Sequence, residues 1–289
     1  MSLRIAITGS SLCRATALAA VLRERGHQPA RLNAADLASR TQIRRALAGF
    51  DAVVHLPTLS RRRSASSARS PTVRETFEMV AGALVNDVPR FVLASPHPSG
   101  AITRDDATLP GLARADDLDR PAPWCEKVVL DASRQGANAL VVHHGAVIGP
   151  YSAHTPVGRL LLRLMRDAHH LLPPWEADCI DVRDVAIGLA DAVERGLPGR
   201  RYVLRGHLCR EQDVAAAVGK LIGRAVRYWV LPPRIAQALR MFRDDDGAEL
   251  DLLAPPCIES AEIGCAARPF ERSVADTLGW YTAQGLISG

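Results

Sequence analysis

The chain opens on an apolar pattern that changes period. Leu3, Ile5 and Ile7 alternate with other residues up to Thr8-Gly9, and Leu12, Ala15, Leu18, Ala19 and Leu22 then recur at spacings of three and four. The first pattern predicts a strand, the second an amphipathic helix, and the turn between them falls at a glycine. The same alternation continues. Residues 28–32 read as a strand after the helix stop Arg25-Gly26-His27, with Asn33-Ala34-Ala35-Asp36-Leu37 as the loop behind it. Residues 41–47 read as a helix, Ala52-Val53-Val54-His55-Leu56 as a buried strand, 72–85 as a helix, 90–95 as a strand, 124–134 as a helix and 139–143 as a strand. Between them, 60–71 is polar and rich in arginine and serine, and 96–123 is mostly loop with acidic patches at Asp105-Asp106 and Asp116-Asp117.

This strand–helix alternation predicts an α/β fold: a Rossmann-type, doubly wound parallel sheet with helices on both faces. The pattern shifts after Gly149-Pro150. A helix is expected over 157–168, a short strand over 179–183, a helix over 184–196, a strand over 201–204, a helix over 212–222 and a strand over 228–233. Short helices and loops follow around Asp244-Asp245-Asp246, Pro255-Pro256 and 270–285. The organisation is therefore a dinucleotide-binding-like domain over 1–150 and a smaller α/β substrate lobe over 151–289, with segments such as 179–204 returning to the sheet domain. With no repeat or low-complexity linker, the lobes are expected to pack tightly.

Composition narrows the classes without naming one. The chain has 289 residues, 47% hydrophobic and 23% charged, as for an ordinary globular protein. No apolar run approaches the roughly 20 residues of a membrane span, and no secretory leader pattern precedes the first strand, so a cytoplasmic protein without membrane association is expected. The net charge of +5 is carried almost wholly by arginine, since the only lysines are Lys127 and Lys220. The one dense basic run, Arg61-Arg62-Arg63, has no aromatic neighbours, which argues against nucleic acid. Six scattered cysteines form no Cys-x-x-Cys pair and no zinc spacing, so no metal is expected.

Seven segments, in order, resemble the extended short-chain dehydrogenase/reductase superfamily, which includes NAD-dependent epimerase/dehydratases and dihydroflavonol-reductase-like enzymes. Ile5-Ala6-Ile7-Thr8-Gly9 resembles its opening strand and turn, Ala35-Asp36-Leu37 its adenine pocket, and 48–56 the strand beneath the cofactor. Arg90-Phe91-Val92-Leu93-Ala94-Ser95 resembles the strand bearing the catalytic Ser/Thr, Glu126-Lys127 the end of its Tyr-x-x-x-Lys motif, 145–150 the loop meeting the nicotinamide, and 180–186 a later strand–helix junction. The tail from 269 to 280 is also similar to the family's closing helix. The resemblance implies NAD or NADP, a small-molecule substrate and a homodimer paired through two helices of the sheet domain. Its cofactor contacts would be Gly9, Ser11, Leu12, Asn33, Asp36, Leu37 and Leu56.

Two departures set the expected chemistry apart. Where the family reads Thr-Gly-x-x-Gly-x-x-Gly, this chain has Leu12 at the second glycine, where backbone approaches the pyrophosphate, and Ala15 at the third. Arg14 either attracts a phosphate or is a solvated arginine at the helix start. Asn33 supplies neither the acid for a ribose hydroxyl nor the arginine for a 2′-phosphate. Four residues before Lys127 stands Pro123, so the proton-transferring tyrosine is missing, and Tyr151 is the nearest tyrosine. Both losses argue against NAD(P) and for a secondary-metabolite tailoring enzyme doing non-redox acid–base work: isomerisation, cyclisation or dehydration. A divergent NAD(P)-dependent ketoreductase or epimerase, and a non-catalytic sensor of a dinucleotide or metabolite, are the alternatives.

The candidate catalytic residues are Ser95, Lys127, His97, His143, Glu126 and Tyr151. Lys127 sits at the family's lysine position, or makes a plain salt bridge to Asp131 or Glu126. Ser95 ends a buried strand at the mouth of the expected cleft, as a substrate contact or a cap, and His97 lies in the loop after it. One of His143 and His144 should face the crevice, because adjacent strand residues face opposite sides. Glu126 becomes an acid–base group if desolvated. Asp181 and Asp184 are expected to cap the following helix, and Trp175, Tyr228, Trp229, Met241 and Phe242 to line a pocket or fill core.

Overall fold

The computed structural model describes residues 1–9, 11–33, 35–57, 70–96, 121–166, 169–172, 176–232, 235 and 266–287. Arg61-Arg62-Arg63, His97, the acidic patches at 105–106 and 116–117, Trp175, Met241, Phe242, Asp244-Asp245-Asp246 and Pro255-Pro256 lie outside the described residues.

The elements follow the predicted alternation: β1 (Arg4–Thr8), α1 (Leu12–Glu24), β2 (Gln28–Arg31), α2 (Arg40–Leu47), β3 (Ala52–His55), α3 (Pro71–Val85), β4 (Phe91–Pro96), α4 (Pro121–Arg134) and β5 (Ala139–His144). Then come β6 (Ala146–Ile148), a 3-10 turn (Ser152–His154), α5 (Pro156–Arg166), β7 (His169–Leu172), β8 (Glu176–Asp181), α6 (Val182–Arg195) and β9 (Arg201–Leu204). The described chain ends with β10 (His207–Arg210), α7 (Glu211–Leu221), β11 (Arg227–Val230) and α8 (Phe270–Ala283). Six strands make one parallel sheet in the order β2-β1-β3-β4-β5-β9. This is the predicted doubly wound arrangement, with its loops gathered at the carboxyl ends of the strands.

Period two along each strand sorts the side chains onto two faces. Ile5, Ile7, Val54, Val92, Ala94, Leu140 and Val142 pack with Leu18 and Leu22 of α1 and Val185 and Leu189 of α6. Ala6, Val53, Phe91, Leu93, Ala139 and Val141 pack on the other side with Ile43 and Leu47 of α2, Met79 of α3 and Val129 of α4. Both faces are buried, so the strands read as continuous apolar runs.

A smaller layer holds the sheets β10-β8-β6 and β11-β7, with α5, α7 and α8 packed on a core of Leu161, Leu164, Val214, Val218, Val274 and Tyr281. The chain crosses into it at Gly145, where an added Cβ would stand 2.0 Å from the Asp178 carbonyl oxygen. It returns through α6 and β9. The junction before α6 differs from the expected one: β8 ends at Asp181 rather than at 183, because the Asp181 carboxylate caps α6 by accepting from the Arg183 amide at 2.9 Å. Asp184 instead pairs with Arg268. The Arg183 guanidinium joins Asp181 (2.7 Å) to Asp276 of α8 (2.8 Å). These ion pairs staple the closing helix to α6.

Candidate active site

β1 runs into α1 through a glycine that the packing requires. Gly9 has φ +97°, and an added Cβ would lie 2.2 Å from the Leu56 carbonyl oxygen, so only glycine fits between β1 and the end of β3. Leu56 itself is fully buried. Ser11 is the N-cap of α1, yet its side chain caps no helix amide. Its oxygen accepts from Arg14 Nε at 2.7 Å. Leu12 begins the helix with its side chain half exposed.

Arg14 is not a solvated helix-start arginine. It is 7% exposed, and its guanidinium crosses the crevice over the carboxyl ends of the strands. Nη2 donates to the Pro57 carbonyl after β3 (3.1 Å), and Nη1 lies 2.7 Å from His144 Nε2 at the end of β5. His144 Nδ1 is 2.8 Å from the Gly145 carbonyl, which only accepts. Nδ1 therefore carries the proton, and Nε2 receives one from Arg14. Burial pulls the Arg14 value down to about 10, against a small opposing effect of Cys13. Below the turn, the Thr76 hydroxyl donates to the Thr72 carbonyl, so His55 Nε2 donates to Thr76 (3.2 Å) and Nδ1 accepts from Thr8 (2.8 Å). Burial, then the Arg14 charge, pushes His55 down to about 3, and it stays neutral.

The other expected cofactor contacts engage one another. Asn33 Oδ1 accepts from the amides of Ala35 (2.8 Å) and Asp36 (3.2 Å), and Asp36 Oδ2 accepts from the Asn33 amide (2.8 Å). Leu37 packs at the edge of the α2–α3 core. Above the Gly9 turn, the Arg14 guanidinium spans from Ser11 to Pro57 and His144.

On the opposite face lies a second cluster. His143 follows Val141 in parity and so points toward α4, while His144 points toward α1. Both are buried, so the two histidines serve opposite sides of the sheet rather than only one facing inward. His143 Nε2 stands 3.3 Å from Glu126 Oε2, and Arg201, at the start of β9, pairs with the other Glu126 oxygen. Burial favours the protonated acid, but His143 and then Arg201 outweigh it and hold the Glu126 carboxyl at about 2. Ser95 is the register partner of His143 on β4, buried and on the same face.

The structure thus brings together Ser95, Glu126 and His143, and separately Gly9, Ser11, Leu12 and Leu56. Lys127 does not join them: its side chain is 59% exposed and its Nζ donates to Asp131 at 2.6 Å, the plain i,i+4 salt bridge. α4 turns Cys125 and Val129 into the core, which leaves position 127 outside. Tyr151 sits beyond β6 with a left-handed φ of +71°, half exposed and edge-on to Trp280 at 5.3 Å. Sequence reasoning missed Arg201; its signal was a basic residue opening the strand beside β5. Among the described residues no group of three or more His, Cys, Asp or Glu is placed to hold a metal, and no helix is long and apolar enough to cross a membrane.

No protein-family model matches the chain. It is similar to sterol demethylase protein B of Methylococcus capsulatus, 24% identical over 224 residues, which cover 72% of this chain and 66% of that protein. It is also similar to a dihydroflavonol 4-reductase-like protein of Synechocystis, 32% identical over 105 residues, 35% of this chain and 31% of that one. The chain thus spans less than two thirds of either relative. Among solved structures, a nucleoside-diphosphate-sugar epimerase from Pseudomonas aeruginosa superposes with a TM-score of 0.71 at 17% identity over the whole of both chains. The Bordetella bronchiseptica enzyme WbmH, solved with NAD+, gives 0.70 at 17% identity over 98% of this chain and 99% of its own.

Proposed function

We infer that this chain, which has the fold of the extended short-chain dehydrogenase/reductases, is a small-molecule enzyme that moves protons with His143 rather than with the tyrosine–lysine pair of its relatives. The observation that carries this reading is the buried Glu126–His143 pair beside Ser95, with Lys127 turned out to solvent. At the class level the reading rests on the epimerases and reductases that share the fold or parts of the sequence.

The chemistry follows from the pair. A carboxylate on Nε2 fixes the ring and stabilises the imidazolium formed when Nδ1 takes a proton. Ser95, at the end of the neighbouring strand, places a hydroxyl on the same face for a substrate oxygen. A base that removes a proton from carbon next to a carbonyl, and then returns it to another atom of the substrate or to a departing β-hydroxyl that leaves as water, performs an isomerisation or a dehydration without a hydride. Both residues are buried, so turnover requires the cleft to open at the strand ends. The test is a panel of hydroxy-carbonyl compounds in D2O, followed by mass spectrometry and by absorbance of added NADH and NADPH. Deuterium entering the substrate with no nucleotide oxidised, and lost in His143→Gln, supports the reading; turnover that consumes NADH or NADPH overturns it. A homodimer remains part of the proposal, supported by the exposed Phe77, Leu84 and Val85 on α3.

A further inference from the structure

We propose that Arg14 is a built-in latch that takes the place of a dinucleotide's phosphates in this crevice, so that the chain holds itself closed with its own side chain and does not keep NAD(P) as a resident group. In a doubly wound fold a pyrophosphate lies at the N-terminus of the first helix, above the carboxyl ends of the central strands, and so bridges the turn to the strands beside it. Here one guanidinium makes those bridges. It binds Ser11 at the helix N-cap, Pro57 after β3 and His144 at the end of β5, reaching across the sheet from β1.

Each partner is an acceptor toward Arg14. Pro57 follows Leu56, whose carbonyl lies against Gly9. His144 is held in its Nδ1–H form by the Gly145 carbonyl, so its Nε2 lone pair is aimed at Arg14. Gly145 is the point where the chain leaves the sheet for the second lobe, so the latch ties the first turn to the crossing between lobes. All three partners are neutral. A phosphate reaching this helix terminus has to displace the guanidinium from three hydrogen bonds, and it also meets the Leu12 side chain where glycine would let backbone approach. The proposal is tested separately from the acid–base reading, because His144 points to the α1 side of the sheet and the adjacent His143 to the α4 side. A nucleotide titration reads binding alone, so its outcome is distinguishable from a failure of proton transfer.

The experiment titrates NADH and NADPH by tryptophan-to-nicotinamide energy transfer into the wild type, Leu12→Gly, and Leu12→Gly combined with Arg14→Ala, with thermal melting as the check on folding. The wild type is expected to show no saturable binding up to about 1 mM, and the double variant to bind at least about tenfold more tightly than Leu12→Gly alone. Saturable binding by the wild type overturns the proposal, and does so most directly if Arg14→Ala weakens it, since Arg14 would then be a phosphate ligand. A well-folded double variant that gains nothing also overturns it, because something other than Arg14 then keeps the nucleotide out. If Arg14→Ala does not fold, Arg14→Gln in the Leu12→Gly background gives the same comparison: it shortens the reach across the crevice and keeps a polar group for Ser11.

Discussion

Glu126→Gln separates the charge of the buried acid from its shape. The amide keeps the size of the side chain and a weaker hydrogen bond to His143 and Arg201. In the native protein the carboxyl titrates at about 2 rather than the usual 4.5. That difference corresponds to about 3 kcal/mol of stability, an upper figure because the side chains around Glu126 rearrange when its charge is removed. The folded value lies below the unfolded one, so the unfolded chain takes up the proton first as pH falls. The contribution is complete above about pH 4.5 and disappears as the pH drops through about 2. At neutral pH, Glu126→Gln should therefore lower stability by about 2–3 kcal/mol, and the melting temperature by roughly 4–12 °C. The difference should shrink as the pH falls from about 4.5, and the two proteins should converge only below about pH 2. Urea unfolding followed by far-ultraviolet circular dichroism at a series of pH values measures both effects. If the two stability curves run parallel from neutral pH to the acid limit, the Glu126 carboxylate is not held by His143 and Arg201 as described.

Three further outcomes follow from the same geometry. Gly9→Ala forces a Cβ against the Leu56 carbonyl at a left-handed φ, and should destabilise the fold by at least about 3 kcal/mol, measured by chemical denaturation; a change below about 1 kcal/mol would show that the turn can relax. Lys127→Met removes only an exposed salt bridge, so it should alter stability by less than about 0.5 kcal/mol and leave any activity found unchanged; loss of activity on a normally folded background would return Lys127 to the site. Phe77→Glu places a charge among the exposed apolar residues of α3 and should convert a dimer to a monomer in sedimentation analysis, whereas an unchanged dimer would place the interface elsewhere.

Much of the layout was legible in the chain because local periodicity carries it. The apolar runs at 52–56 and 139–143 are strands buried on both faces, and the spacing of Leu12, Leu18 and Leu22 marks the helix that follows β1. Boundaries were less legible where a side chain decides them: β8 stops at Asp181 because that carboxylate caps α6. Ser95, Glu126 and His143 were each visible as candidates, but their meeting was not, since it depends on parallel register between β4 and β5 and on the rotation of α4. That same rotation removed Lys127, whose position in the sequence motif could not reveal which way it points.

Sequence alone determined that this is a doubly wound α/β protein, that its first turn falls at Gly9, and that Leu12 and Pro123 stand where the family it resembles has a phosphate-binding glycine and a tyrosine. These are properties of residue identity and spacing along one chain. Tertiary structure decided which side chains meet around those positions. Arg14 and His144 are 130 positions apart and Glu126 and Arg201 are 75 apart, so only the folding of the sheet brings each pair together. Burial then gives those contacts their strength, because a charge withdrawn from water must be met by the groups that the fold places around it.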